Sequence, residues 1–431
     1  MKQTLYITLI LLLTSITINA QTTTQPAPAT IKFSGFVRND IFFNTRQTVA
    51  AREGAFLLWP EKINYDMLGE DINARSDFNI MAIITRMTVS VTGPEALGAK
   101  TSALIETDFF GQANDNISLI RLRHALIKFN WNRLELMIGQ YWNPLFVVGN
   151  TPSTVSFNAG TPFNSFARNP QLRLTASLGH FTLIGAALSQ RDHSSYASPG
   201  AGTAATASPA YLRNSLMPDM HLQLHLENSN ESNVRIGIGA GGAYKRIVPR
   251  LTARILPPAA NMVVVDEHVD GFTGIIFGRL ISKSISLRMY ARYGENISDL
   301  LAPGGYAALT PANPLNPELN YVPLRSKSYW LDFGTNGKKF QAGVFTGYFI
   351  NKGSGKTVID PDLIFGRATD ISSLFRVSPR LVFISGKVSI SAEVEYMKAN
   401  FGLATFSDNA LPLNVRPVEN VRIVSTVVYN F

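Results

Sequence analysis

The sequence predicts an all-β protein, a transmembrane antiparallel β-barrel of about 16 strands with short periplasmic turns and long extracellular loops. Three observations carry this expectation. Strand-like runs of roughly ten residues alternate apolar and polar side chains with period two. Very short turns and long loops follow one another in strict alternation, which assigns one set to each end of a barrel. The last run, Val421, Ile423, Val427, Tyr429 and Phe431 on one face, ends the chain on an aromatic residue.

Residues 1–20 have the layout of a secretory signal peptide. Lys2 supplies the positive start, Leu5 to Leu13 form an apolar run, and Ile18-Asn19-Ala20 offers a small residue before Gln21. That run is shorter than the roughly 20 residues a membrane-spanning helix needs. Residues 21–30 (QTTTQPAPAT) are expected to be a disordered leader, and residues 31–431 to form the barrel.

An opening strand at 31–43 is expected to lead into seven hairpins. They pair 79–92 with 101–110, 117–129 with 134–142, 170–178 with 181–190, and 218–227 with 234–245. Further along, 271–281 pairs with 285–295, 327–334 with 340–350, and 373–384 with 388–399; a closing strand covers 418–431. The turns carry Gly93-Pro94 and Gly98, Asn130-Trp131-Asn132, Gly179-His180, Asn228 to Asn233, Ser282-Lys283-Ser284, Asn336-Gly337 and Ser385-Gly386-Lys387. Tight turns demand these residue types, because Gly and Asn accept positive φ and Ser and Asn bond their own backbone.

Alternation is clearest in three strands. Met220, Leu222, Leu224 and Leu226 oppose His221, Gln223, His225 and Glu227. Ile285, Leu287, Met289, Ala291 and Tyr293 oppose Ser286, Arg288, Tyr290 and Arg292. Val388, Ile390, Ala392, Val394 and Tyr396 oppose Ser389, Ser391, Glu393 and Glu395. The long connections are 44–78, 143–168, 191–217, 246–270, 296–326, 351–372 and 400–417, with low-complexity stretches such as Pro199-Gly200-Ala201-Gly202. So many long loops argue against a compact soluble domain.

Composition narrows the function classes. Cysteine is absent, which excludes a disulfide scaffold, a Cys-based metal site and lipidation at the cleavage site. Only 16% of residues are charged and the formal net charge is +9. The arginines are dispersed through strands, not clustered, so the basic excess fits a field along a channel wall better than nucleic-acid binding. No hydrolase, zincin or P-loop motif is present. His221 and His225 lie roughly 13 Å apart on a strand, too far to share a metal. An enzyme, a cofactor and a metal site are therefore not expected.

One stretch carries a family likeness. Ile120-Arg121-Leu122-Arg123-His124-Ala125-Leu126-Ile127-Lys128-Phe129, then Leu134 to Met137, Ile138-Gly139-Gln140-Tyr141-Trp142 and Pro144, resemble the fourth and fifth strands of DcaP-like trimeric outer-membrane porins. Phe166-Ala167-Arg168-Asn169-Pro170-Gln171-Leu172-Arg173-Leu174 is similar to the entry of that family's next strand. The resemblance implies a sixteen-stranded, trimeric channel preferring small anions. It departs at the N-terminus, where residues 21–30 cannot form the coiled-coil helix of some members, so trimerisation would rest on the barrel wall.

The expected selectivity elements follow from position. Loop 143–168 lies between the fifth and sixth strands, where sixteen-stranded porins fold a loop into the lumen. It holds three prolines, four phenylalanines and Arg168 but no acid, so as a constriction it is expected to contribute an uncompensated cation. Arg86, Arg121, Arg123, Arg173, Arg288 and Arg292 lie on polar faces. An Arg facing lipid costs about 2–4 kcal/mol at midplane, so these side chains are expected to point into water. A row of guanidiniums selects anions; the bland alternative pairs each with Glu106, Asp108 or Glu135. Tyr141, Trp142, Tyr290, Tyr293, Tyr348, Tyr396 and Tyr429 are assigned to interface girdles, and Tyr429 with Phe431 to the signal read by the barrel-assembly machinery. The resulting expectation is an outer-membrane porin of a Gram-negative bacterium passing small, preferentially anionic solutes. The partners are outer-membrane lipid, the assembly machinery and two further copies, with no nucleic acid. The alternatives are a channel specific for dicarboxylates or oligosaccharides, and a non-conducting barrel acting as an adhesin or complex partner.

Overall fold

A computed structural model describes residues 28–197, 204–228, 233–255, 261–309, 317–358, 360, 363–403 and 406–431. The signal peptide, most of the leader, part of the turn at 228–233 and the stretch Pro199 to Gly202 lie outside the described residues. Sixteen strands form the wall: β1 (Thr30–Asn44), β2 (Asp77–Met81 and Arg86–Thr92), β3 (Lys100–Asp108), β4 (Arg121–Asn130), β5 (Leu134–Trp142), β6 (Arg168–Leu178), β7 (Phe181–Leu188) and β8 (Asp219–Glu227). The second half comprises β9 (Arg235–Ile247), β10 (Val269–Ile281), β11 (Ile285–Glu295), β12 (Arg325–Thr335), β13 (Phe340–Gly353), β14 (Ile371–Ser385), β15 (Val388–Phe401) and β16 (Arg416–Asn430). Every strand pairs antiparallel with its chain neighbours, and β1 closes the barrel on β16 from Phe36 opposite Asn430 to Asn44 opposite Arg422. Phe431 extends the seam, its amide donating to Gly35 O at 3.1 Å. Closure leaves no free edge strand in the wall.

The period-two pattern has a direct physical result. Phe33, Val37, Ile41, Leu122, Ile127, Leu222, Leu224, Ile276, Ile390, Ile423 and Val427 are exposed on the outer surface, an apolar belt of the kind transmembrane barrels present outward. The alternate residues point inward, where Asn44, Asp108, Arg123, Asp332, Arg376, Glu393 and Arg422 are buried. The molecule is thus apolar outside and polar within, the inverse of a soluble domain. Among the described residues no helix is long and apolar enough to cross a membrane.

Two local features depart from the expected strands. Thr30, assigned to a disordered leader, already belongs to β1. The second strand is not continuous from 79 to 92: residues 82–85 leave the wall in a turn closed by Thr85 N to Ala82 O at 3.1 Å. Thr85 then caps the gap by accepting from Arg38 N at 3.1 Å. The detour buries Ile84 in the interior, which offsets the missing ladder bonds.

The interior holds a hydrophobic core contributed by loops. A short pair, Thr48–Ala51 with Phe56–Pro60, folds inward from the first loop, and Phe56 to Trp59 are buried. Residues 143–168 fold in from the opposite side, with Leu145, Phe146, Phe163 and Phe166 buried in the same cluster as Phe42, Tyr290, Trp330, Phe345 and Phe349 of the inner wall. The two inserts touch where Asn158 Nδ2 donates to Leu57 O at 3.0 Å.

Candidate functional site: the arginine-lined lumen

Loop 143–168 crosses from its anchors on β5 and β6 to the far wall. Val155 N donates to Glu393 on β15 at 2.6 Å and Ser153 N to Asp332 on β12 at 3.2 Å. Ser328 Oγ on β12 donates to Phe163 O at 3.0 Å, Asn150 Nδ2 donates to Met289 O on β11 at 2.8 Å, and Arg376 on β14 donates to Asn158 Oδ1 at 2.7 Å. Arg38 on β1 donates to Val155 O at 2.8 Å. Because the loop carries no acid, wall carboxylates cap its amides and wall guanidiniums cap its carbonyls.

Four of the anticipated arginines come together on the β2–β6 wall. Arg121 donates to both oxygens of Asp108, at 3.0 and 2.9 Å. Arg123 bridges Glu106 at 2.6 Å and Asp108 at 2.8 Å. Arg86 lies 3.6 Å from Glu106, and Arg168 meets Asp192 at 2.7 Å. Four guanidiniums thus share three carboxylates in a ladder that runs from β2 to the loop end of β6. Aromatic faces complete the lining: Arg121 sits 4.7 Å over Phe110 and Arg168 5.4 Å over Trp142, geometry that adds cation–π attraction.

A β-bulge makes this possible. The β3–β4 register shifts between Glu106 and Thr107, so that Glu106 opposes His124 and Thr107 opposes Leu122. The extra residue puts Arg123 and His124 both inward and resets the parity, so that Leu126 turns in and Ile127 out. On β5, Gly139 has φ +136°, and a Cβ there would lie 2.2 Å from Ala125 O. Only glycine fits that approach. Gln140 then donates to Arg123 O at 2.9 Å, pinning the bulge. The Gly-Gln pair of the sequence resemblance therefore has a mechanical role in this chain.

The remaining anticipated residues lie apart. Arg173 packs 5.5 Å over Tyr141 and donates to Trp142 O at 2.6 Å. Arg288 and Arg292, on the far wall, reach the inserted loop: Arg288 donates to Ser153 Oγ at 3.2 Å, Arg292 to Ser165 Oγ at 2.9 Å and Pro162 O at 3.2 Å. Tyr429 and Phe431 are exposed on the outer face at the closing seam.

Several expectations are corrected. Arg121 and Arg123 face inward but are 6% and 1% exposed, so they contact protein, not bulk water, because the inserts cover them. Arg168 is not uncompensated, since Asp192 from the next long loop neutralises it. Glu135 pairs with Lys128 at 3.0 Å and with none of the arginines. Tyr141, Trp142 and Tyr290 are not girdle residues. Tyr141 packs on His124, Trp142 stacks on Phe146 at 4.2 Å, and Tyr290 donates to Leu145 O at 3.0 Å.

Other interior charges were not anticipated. Arg376 lies 2.9 Å from Glu393 and 3.0 Å from Glu395, and Arg380 lies 2.6 Å from Asp332. Their signal was present, since Arg376, Ser378 and Arg380 share one parity. Asp192, Arg52 and Arg367 had no such signal, because loop residues carry no period. At Asp192 burial alone would raise the carboxyl's pKa, but Arg168, His193 and Arg121 hold it well below the usual range. Burial brings the neighbouring His193 imidazole down to about 4.

No family model matches the chain, and no curated relative matches it. Solved structures do share its fold. The outer-membrane channel DcaP of Acinetobacter baumannii superposes with a TM-score of 0.66 at 14% identity, over 96% of this chain and 100% of that one. OmpT of Vibrio cholerae, expressed in the outer membrane, gives 0.52 at 10% identity over 95% and 100%. The anion-selective porin from Comamonas acidovorans gives 0.52 at 10% identity over 94% and 100%. The chain therefore has a DcaP-like, porin-type fold.

Proposed function

We propose that the chain is a porin of a Gram-negative outer membrane through which small, preferentially anionic solutes diffuse without energy input or chemistry. The arginine ladder carries this reading: Arg86, Arg121, Arg123 and Arg168 outnumber the carboxylates they share, and Arg173 and Arg292 have no carboxylate within 4.0 Å among the described residues. A cationic field in a low-dielectric wall raises the local concentration of anions. The Comamonas porin that shares this fold is anion-selective, which supports the solute preference, and OmpT of Vibrio cholerae has a trimeric form, which supports association of three copies. In this proposal residues 1–20 direct export and are removed, loop 143–168 narrows the lumen, and Tyr429 and Phe431 engage the assembly machinery. Lipid covers the outer belt, and three copies associate through the barrel wall.

Planar-bilayer reversal potentials under a salt gradient test the reading. The expected result is anion preference in the refolded chain, weakened at least two-fold in permeability ratio by Arg121→Gln with Arg123→Gln. Cation preference overturns it. A second reading is favoured by the apolar core and paired charges that fill much of the lumen: a non-conducting barrel serving as an adhesin or complex partner. Absence of conductance from folded barrels selects that one.

A further inference from the structure

The loop end of the arginine ladder borders a cavity of about 270 Å³ whose lining includes Arg52, Arg121, Arg168, Arg367 and Asp192. Asp192 is the one carboxylate in that lining, and of the four guanidiniums only Arg168 pairs closely with it, since Arg121 is held by Asp108. Arg52 donates to the carbonyls of Phe110 and Gly111 at 2.8 and 3.2 Å, and Arg367 to Ser298 O at 3.3 Å. Among the described residues neither has an acid within 4.0 Å. Rings of Phe110, Phe157 and Phe166 form apolar walls.

Asp192 differs from the other acids of the ladder in how it is held. Glu106 and Asp108 belong to β3, whereas Asp192 is carried by the connection between β7 and β8. It also satisfies its partners incompletely. Both Arg168 Nε and Nη2 donate to the single oxygen Oδ2, at 2.9 and 2.7 Å, while Oδ1 stands 4.0 Å from Arg121. Arg168 is 1% exposed and its Nη1 has no hydrogen-bond partner among the described residues. A buried guanidinium nitrogen left unmet is costly. A free carboxylate could present both oxygens to the planar fork, the stronger arrangement.

We propose that Asp192 is a tethered competitor that holds the anion site of this cavity until a small carboxylate solute displaces it. The inference rests on the anion-porin reading and names the residue that sets the affinity of the site. Binding then measures the fraction of molecules whose site is not held by Asp192, and removing the competitor raises apparent affinity by that factor.

The test is calorimetric titration of benzoate into the refolded full chain in detergent, which needs no open channel and so stands apart from the conductance experiment. Asp192→Asn is expected to tighten benzoate at least five-fold, and Arg168→Gln to abolish binding. Glu135→Gln makes the same charge change at the other end of β5, roughly 23 Å from Trp142 at about 3.3 Å per residue, and is expected to leave binding unchanged. The neutral analogue benzamide is expected not to bind. Folding of each variant is verified by heat-modifiable electrophoretic mobility, with Asp192→Ser replacing Asp192→Asn if the latter does not fold. Equal benzoate affinity in wild type and Asp192→Asn, or an equal gain in Glu135→Gln, overturns the proposal even if the channel proves anion-selective.

Discussion

Gly139 and His193 show how single positions govern the lumen. Gly139 holds φ +136° against Ala125 O and shapes the bulge that aims Arg123 at Glu106 and Asp108. Gly139→Ala is expected to cost about 1–3 kcal/mol through backbone strain alone, read as a lower urea midpoint of the folded barrel; an unchanged midpoint contradicts the close approach. His193 is held near 4 by burial, with Arg367, Arg168 and Arg121 opposing its protonation and Asp192 favouring it. The depressed value means that the packed loop prefers neutral imidazole. Its stability is present above the ordinary value of 6.5 and is lost as pH falls toward 4. A spin label at Ala204→Cys, in a chain with no native cysteine, is expected to gain mobility over that window. His193→Gln is expected to flatten the response.

At the scale of elements, loop 143–168 is the piece on which the interior depends. Its apolar composition would be a liability at an aqueous rim, and the far wall is shaped to receive it. A Cβ on Gly347 of β13 would meet the Phe163 ring at 2.5 Å, so the missing side chain leaves the seat that Phe163 fills. Phe163 is fully buried and also packs on Phe345, with ring centroids 6.3 Å apart. Phe163→Ala is expected to destabilise the fold by about 3–5 kcal/mol, the usual cost of emptying a buried aromatic site, measured by equilibrium urea unfolding. A loss below about 1 kcal/mol would mean that the loop is not seated there.

Across the whole molecule, an apolar exterior surrounds a charged interior, and the proposed function requires a net cationic field in the lumen. Such a field is screened over about 10 Å at 0.1 M salt and about 3 Å at 1 M. The anion-to-cation permeability ratio is therefore expected to fall as bilayer salt is raised across that range. A ratio independent of salt would point to steric selection by the inserts, not to the arginine field. Permanent pairing limits the field's strength, since Arg376 and Arg380 spend their charge on Glu393, Glu395 and Asp332. The β2–β6 wall is where cations exceed acids.

How much of this was legible depended on period. Strand number, hairpin order and the inward parity of Arg121, Arg123, Arg173, Arg288 and Arg292 could all be read, because each strand residue has only two directions to point and lipid excludes charge from one. The turns were legible because their Gly, Asn and Ser positions meet conformational demands that few residues satisfy. Loop composition showed that 143–168 suits an apolar setting, but not that it would reach Glu393 and Asp332 on the far wall. The Arg123 bulge, the break at 82–85, the inward turn of Phe56–Pro60 and the meeting of Asp192 with Arg168 were decided only by tertiary structure. Each joins residues through space where no local periodicity constrains the chain, and its energy comes from burial and charge pairing that exist only once the barrel has closed.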